Sequence, residues 1–116
     1  MIYSIKYTES VPEGFAGITI MWMIRIRPKY MGDIGLLHHE MVHVRQFWRT
    51  FGLFPLRYLV SKAYRLKTEL EAYQEQLCWP PASDDKVKYR EKYAKRLAEK
   101  YSLGITLEEA REKLQV

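Results

Sequence analysis

Between Gly17 and Arg27 the residues alternate, with β-branched isoleucines recurring at every second position on one side of Trp22 and again on the other. Ile18, Ile20, Trp22, Ile24 and Ile26 fall on one side of an extended chain. Thr19, Met21, Met23, Arg25 and Arg27 fall on the other, so the segment predicts a strand with one buried face, ended by Pro28. "MIYSIKY" predicts a shorter strand before it, with "SVPEG" as the intervening turn. After "PKYMGD" the period changes: Leu37, Met41, Val44 and Trp48 recur at spacings of four, three and four, the buried stripe of a helix. Asp33 is placed to cap that helix and Gly52 to end it. Pro55 opens a second helix, whose stripe of Ala63, Leu66, Leu70, Tyr73 and Leu77 runs to the prolines of "CWPP". Ser83 caps a third, with Asp84 and Asp85 near its positive end, and it carries Val87, Ala94, Leu97 and Tyr101 to Gly104. "TLEE", residues 106 to 109, is the capping box of a last short helix. The order β-β-α-α-α-α predicts an α+β fold, with short N-terminal strands packed on helices and a helical extension over about residues 83–116.

The composition, 47% hydrophobic and 28% charged over 116 residues, predicts a single folded domain. The lone cysteine, Cys78, cannot form an internal disulfide, suits a reducing compartment, and is expected as buried filler; Trp22, Trp48 and Trp79 are expected in the core. The most apolar run, residues 14 to 24, is shorter than the ~20 residues of a bilayer span and lacks the flanks of a signal peptide. A cytoplasmic location without a membrane partner is therefore expected. The net charge of +5 suits nucleic acid, an anionic membrane surface or an acidic substrate. Much of it lies in "KVKYREKYAKRLAEK" (86–100), where Glu91 and Glu99 interrupt the charge and Tyr89, Tyr93, Leu97 and Tyr101 recur every fourth residue. That pattern favours a helix with a basic solvent face, so nucleic acid is not the expected partner, although a basic nucleic-acid-binding module is one alternative reading.

All three histidines lie in "LLHHEMVHVRQFW" (36–48), and "HEMVH" fits H-E-x-x-H. Residues four apart on a helix differ by about 40° around the axis, so His39 and His43 project side by side and can reach one metal ion. Glu40 lies within about 100° of His39, placed to take a proton from a water held at a zinc ion. His38 falls outside the pair and is expected at the surface or behind the ligands. A catalytic zinc takes three protein ligands and keeps a place for water, so the third must be a carboxylate or Cys78. "TELEAYQEQ" (68–76) offers Glu69 and Glu71. They lie about 200° apart, with Glu69 about 80° and Glu71 about 120° from the apolar stripe, which favours Glu69 and leaves Glu71 open.

An H-E-x-x-H helix followed some 25 residues later by a glutamate on another helix resembles the gluzincin zinc peptidases. "ELEAY" (69–73) is similar to their E-x-x-A-D-like second motif, and the length is most similar to their minimal, single-domain members. The resemblance covers about residues 15 to 77. It implies Zn²⁺ held by His39, His43 and Glu69, Glu40 as general base, and a peptide or protein substrate paired with the strand before the active-site helix. Two departures stand out. Tyr73 occupies the place of an aspartate that orients a ligand histidine; were Glu71 the ligand, Glu75 would take that supporting role. No motif marks the group that stabilises an oxyanion, for which Tyr73, Tyr64, His38 and Arg27 are candidates. Residues 103–116 are expected to be able to lie across the cleft and keep the enzyme latent. Besides a peptidase and the nucleic-acid module, a catalytically silent zinc-binding protein keeps the same motif.

Overall fold

In the computed structural model, which describes residues 2–115, the chain forms a three-stranded sheet followed by five helices. The fold is α+β, with strands β1 (Ser4–Tyr7), β2 (Gly17–Ile20) and β3 (Met23–Ile26) at the N-terminal end. A 3-10 turn (Pro28–Tyr30) leads into α1 (Ile34–Arg49), α2 (Phe54–Val60), α3 (Lys62–Gln76), α4 (Lys86–Glu99) and α5 (Leu107–Leu114).

The alternating segment is a hairpin and not the one strand its pattern predicts. Met21, at a left-handed φ of 59°, turns the chain back, and β2 pairs antiparallel with β3 in the register Gly17↔Ile26, Ile18↔Arg25, Thr19↔Ile24, Ile20↔Met23. Paired residues share a face of the sheet, so every odd position of β2 faces the same way as an even position of β3. Ile24 and Ile26 therefore pack against α1 beside Gly17 and Thr19, while Ile18 and Ile20 turn to the other side. The short turn inverts the phase of the pattern. β1 pairs parallel with β3 on its far side, giving the order β1-β3-β2 and leaving one edge of β2 without a strand neighbour among the described residues.

α1 begins where the sequence predicts, with the Asp33 carboxylate accepting from the Leu36 amide. Its buried face is rotated from the predicted stripe. Val44 is fully enclosed, but Leu37 and Met41 are half-buried and Trp48 is exposed, its indole donating to the Ile2 carbonyl. The deeper positions are Leu36, Val42 and Phe47 together with His39, Glu40, His43 and Gln46. The second predicted helix is two. Ser61 leaves helical geometry at φ −124°, ψ 112° and caps α3 by accepting from the Tyr64 amide, so α2 is a separate two-turn element. Asp85, rather than Ser83, caps α4, and Val87 lies in solvent. Cys78 is exposed rather than buried, and Trp22 and Trp79 are half-buried.

Two apolar clusters hold these elements. Ile24, Ile26, Leu36 and Val44 join the sheet to α1. Tyr73, Leu77, Tyr93, Ala94, Leu97, Leu103, Ala110 and Leu114 join α3, α4 and α5. Between them α1 meets α3 at Gly35, where a Cβ would stand 3.2 Å from the Gln76 carbonyl oxygen; only a glycine hydrogen fits without displacement. The last helix has its predicted capping box, Thr106 with Glu109, and none of residues 103–115 lines either hollow beside α1. Leu103, Ala110 and Leu114 are buried against α3 and α4, so the segment is anchored in the core by one face and the expectation of a blocking tail is corrected. Leu114→Ala is expected to lower unfolding stability by about 2–4 kcal/mol, read as a lower urea midpoint at unchanged m-value.

Candidate metal centre

His39 and His43 stand one turn apart on α1, their ring centroids 5.1 Å apart, and both rings point at α3. There Glu69 Oε1 lies 3.3 Å from His39 Nε2 and 3.1 Å from His43 Nε2. All three side chains are buried, and one ligating atom from each lies within 4.8 Å of the other two, so the cluster can hold a metal ion. The choice between the two glutamates is decided by helix phase. Glu71 points away, with its Oε1 accepting from Arg49 at 3.2 Å and from Gln46 at 3.4 Å. Glu75 accepts from the Trp79 indole and lies 3.7 Å from His38, whose ring stacks on Trp79 away from the cluster.

The ring of His43 is oriented from behind. Gln46 Nε2 donates to the Thr68 carbonyl, an acceptor only, which turns Gln46 Oε1 toward His43 Nδ1 at 2.8 Å. Nδ1 therefore carries a proton, and Nε2 is the nitrogen free to bind a metal. Among the described residues His39 has no such partner: its Nδ1 is buried without a hydrogen bond, and Tyr73 packs edge-on against the ring at 4.4 Å rather than bonding to it. The Tyr73 hydroxyl instead meets the hydroxyl of Tyr101 and accepts from Arg96 Nε at 3.1 Å. The other oxygen of Glu69 accepts from Tyr58 on α2 at 2.6 Å. Arg65 anchors that helix by donating to the carbonyls of Tyr58, Tyr101 and Ser102.

Glu40 lies on the sheet side of the pair. Thr19 of β2 donates to its Oε1 at 2.8 Å, and its Oε2 stands 3.9 Å from His39 Nε2. Thr19 faces α1 only because the hairpin inverts the phase; Gly17 lies beside it, where a Cβ would stand 3.1 Å from the Arg25 carbonyl oxygen and 3.3 Å from the Ile26 side chain. The cluster opens into a cleft of about 600 Å³ between the free edge of β2 and helix α2, lined by Ile18, Ile20, Phe54 and Leu59. A second, more polar hollow of about 380 Å³ adjoins it at His39 and Glu40, toward Arg96 and Gln76. Of the oxyanion candidates, Arg27 is taken up by the loop of residues 9–15, where it pairs with Glu9 and donates to the Val11 and Phe15 carbonyls. Tyr64 packs on Phe54 and Arg57.

Burial alone would lower the His43 imidazole, but the Glu69 carboxylate, helped by Glu40 and Gln46, overrides this and raises it to about 9. Burial would raise Glu69, yet the two imidazoles hold it well below the usual carboxylate range. Burial and the neighbouring Glu69 together push the Tyr58 phenol upward. Burial pushes Tyr73 up to about 12 against the pull of Arg96.

Tyr58, Thr19, Gln46 and Tyr101 carry no sequence motif. Gln46 alone had a local signal, its place three residues after His43 on one helix face. Compared with family models, with curated proteins and with solved structures, the chain has no match.

The His43–Glu69 pair makes the metal-free protein sensitive to pH in a definite direction. A histidine raised from 6.5 to about 9 contributes stability that is complete below pH about 6.5 and is lost as pH rises through 9. The depressed Glu69 contributes stability present above its ordinary pKa and lost in acid. Chelator-treated protein is therefore expected to lose melting temperature between pH about 6.5 and 9, and His43→Gln to flatten that slope.

Proposed function

We propose that the chain is a zinc-dependent metallopeptidase of the gluzincin type, with His39, His43 and Glu69 holding Zn²⁺ and Glu40 as general base. One observation carries the reading. Two imidazole nitrogens and one carboxylate oxygen converge on a point beside a cleft, with a further carboxylate 3.9 Å from the nearer imidazole. The donor set fits zinc, which takes two histidines and a glutamate with a fourth position left open. Nε2 of both rings faces Glu69 Oε1, and Gln46 orients the ring of His43, which suits ligation through Nε2.

When bound, zinc supplies the Lewis acidity that makes a water nucleophilic near neutral pH. The chain does the rest. Thr19 occupies Glu40 Oε1, which leaves Oε2 to accept the proton of the attacking water and return it to the departing amine. The unpaired edge of β2 offers backbone donors and acceptors to an extended peptide, which would lay the scissile carbonyl above the cluster with little regard to sequence. Tyr58 holds Glu69 in place through Oε2 and keeps its Oε1 turned to the histidines. The same three ligands also suit an ion that braces α1 on α3 without turnover, and one substitution separates the two.

Glu40→Gln is expected to reduce peptide hydrolysis by about 10²–10⁴-fold while zinc content, measured on untagged protein, stays near one per chain. Equal hydrolysis by variant and parent would sink the catalytic role. His43→Ala is expected to lose the metal and, with it, the stabilisation that zinc adds. Glu69→Ala is expected to weaken zinc binding by orders of magnitude and Glu71→Ala hardly at all, as competition with a chelator would show.

A further inference from the structure

From Met41 to Thr68 the chain has six cationic residues, Arg45, Arg49, Arg57, Lys62, Arg65 and Lys67, and no acidic one. The segment comprises the second half of α1, all of α2 and the start of α3. Arg49 pairs with Glu71, and Arg65 is spent on backbone carbonyls. Arg45, Arg57, Lys62 and Lys67 are exposed and form no ion pair among the described residues.

Within this basic segment the solvent face is apolar. Phe51 is 94% exposed, Leu59 76% and Val60 75%, with Leu53 and Leu56 exposed beside them. A helix at a protein surface ordinarily turns polar residues outward. α2 does not: its inner face packs Phe54 on His43 and ties Tyr58 to Glu69, Leu59 lies at the rim of the cleft, and its outer face is Leu56 and Val60, with Arg57 the only charge. Phe51 also takes a left-handed φ of 53°, which is unfavourable for an aromatic residue, and it contributes nothing to the core for that cost. Asparagine or glycine would make the same turn without exposing a ring.

We infer that this face docks on an anionic phospholipid bilayer, with Phe51, Leu53, Leu56 and Val60 entering the headgroup–acyl boundary and Arg57, Lys62 and their neighbours meeting lipid phosphates. An amphipathic element with exposed apolar side chains and cations around them binds interfaces in this way. Charge selects the occupant. A second copy would set one acid-free basic surface against another, and a nucleic acid would leave the apolar side chains in water. No helix among the described residues is long and apolar enough to cross a membrane, so the chain would lie on the bilayer. The expectation of no membrane partner, drawn from the absence of a span, does not cover this mode. Docking stands independently of the metal chemistry.

The test is co-sedimentation of the untagged full chain with vesicles of phosphatidylcholine and phosphatidylglycerol, and with phosphatidylcholine alone. Binding is expected to the mixed vesicles, about tenfold or more weaker to the neutral ones, and weakened by salt. Phe51→Asn/Leu56→Gln/Val60→Gln is expected to weaken it about tenfold or more with the melting temperature unchanged. Arg57→Gln/Lys62→Gln is expected to weaken it about fivefold for each cation removed. Should the triple variant melt early, Val60→Gln alone, at a position 75% exposed, reads the same effect on a smaller scale. No binding to anionic vesicles would overturn the inference. So would binding that the apolar substitutions leave unchanged, or a dimer in sedimentation velocity that they dissolve while vesicles are ignored.

Discussion

A carboxylate buried between two helices must be paired, and in this protein that requirement organises everything around it. Glu69 cannot leave water without partners, because an isolated buried charge costs several kcal/mol. His39 and His43 take one of its oxygens and Tyr58 takes the other. To bring those groups together α1 must lie flush on α3, which Gly35 allows by bringing no Cβ against Gln76. α2 must fold back over the junction, which Ser61 and Arg65 accomplish by breaking the helix and pinning its end. The same pairing raises His43, so a metal that takes both nitrogens must displace a proton.

Among the described residues, the sheet's side-chain hydrogen bonding to this site comes from Thr19. Had Gly17 to Ile26 formed a single strand, Thr19 would lie on the face opposite Ile24 and Ile26. The turn at Met21 exchanges the faces, carries Thr19 to Glu40, and leaves Ile18 and Ile20 lining the cleft beside an unpaired strand edge. One local reversal thus fixes one oxygen of Glu40 and makes the surface along which an extended peptide would lie in the peptidase we propose.

Helix α2 is the least core-like element and the one that faces two ways. Inside, it closes the cleft with Phe54 and Tyr58; outside, it shows aliphatic side chains within a segment that has no acid. An element with apolar residues on both sides and only two turns of length gains little from helix propensity and depends on what it is packed against. The two proposals meet here, since a bilayer under α2 would lie next to the wall of the cleft.

Local sequence determined whatever one turn of helix or one cap can decide. The pairing of His39 with His43, the cap at Asp33, the box at Thr106 and Glu109 and the α+β order are short-range consequences of backbone geometry, and all were legible without coordinates. Glu69 was favoured over Glu71 by helix phase alone, because two residues of separation turn a carboxylate to the other side. Only the tertiary structure decided the rest. The burial of Leu103, Ala110 and Leu114 and the gathering of Tyr58, Thr19 and Tyr101 around the cluster depend on contacts between residues far apart in the chain. The hairpin's inverted phase and the break at Ser61 are local reversals that an unbroken periodicity conceals. Periodicity reports which face of an element is apolar; it does not report which neighbour that face meets, and in α1 His39 and His43 lie deeper than Leu37, Met41 and Trp48 of the predicted stripe because their partner is a buried acid.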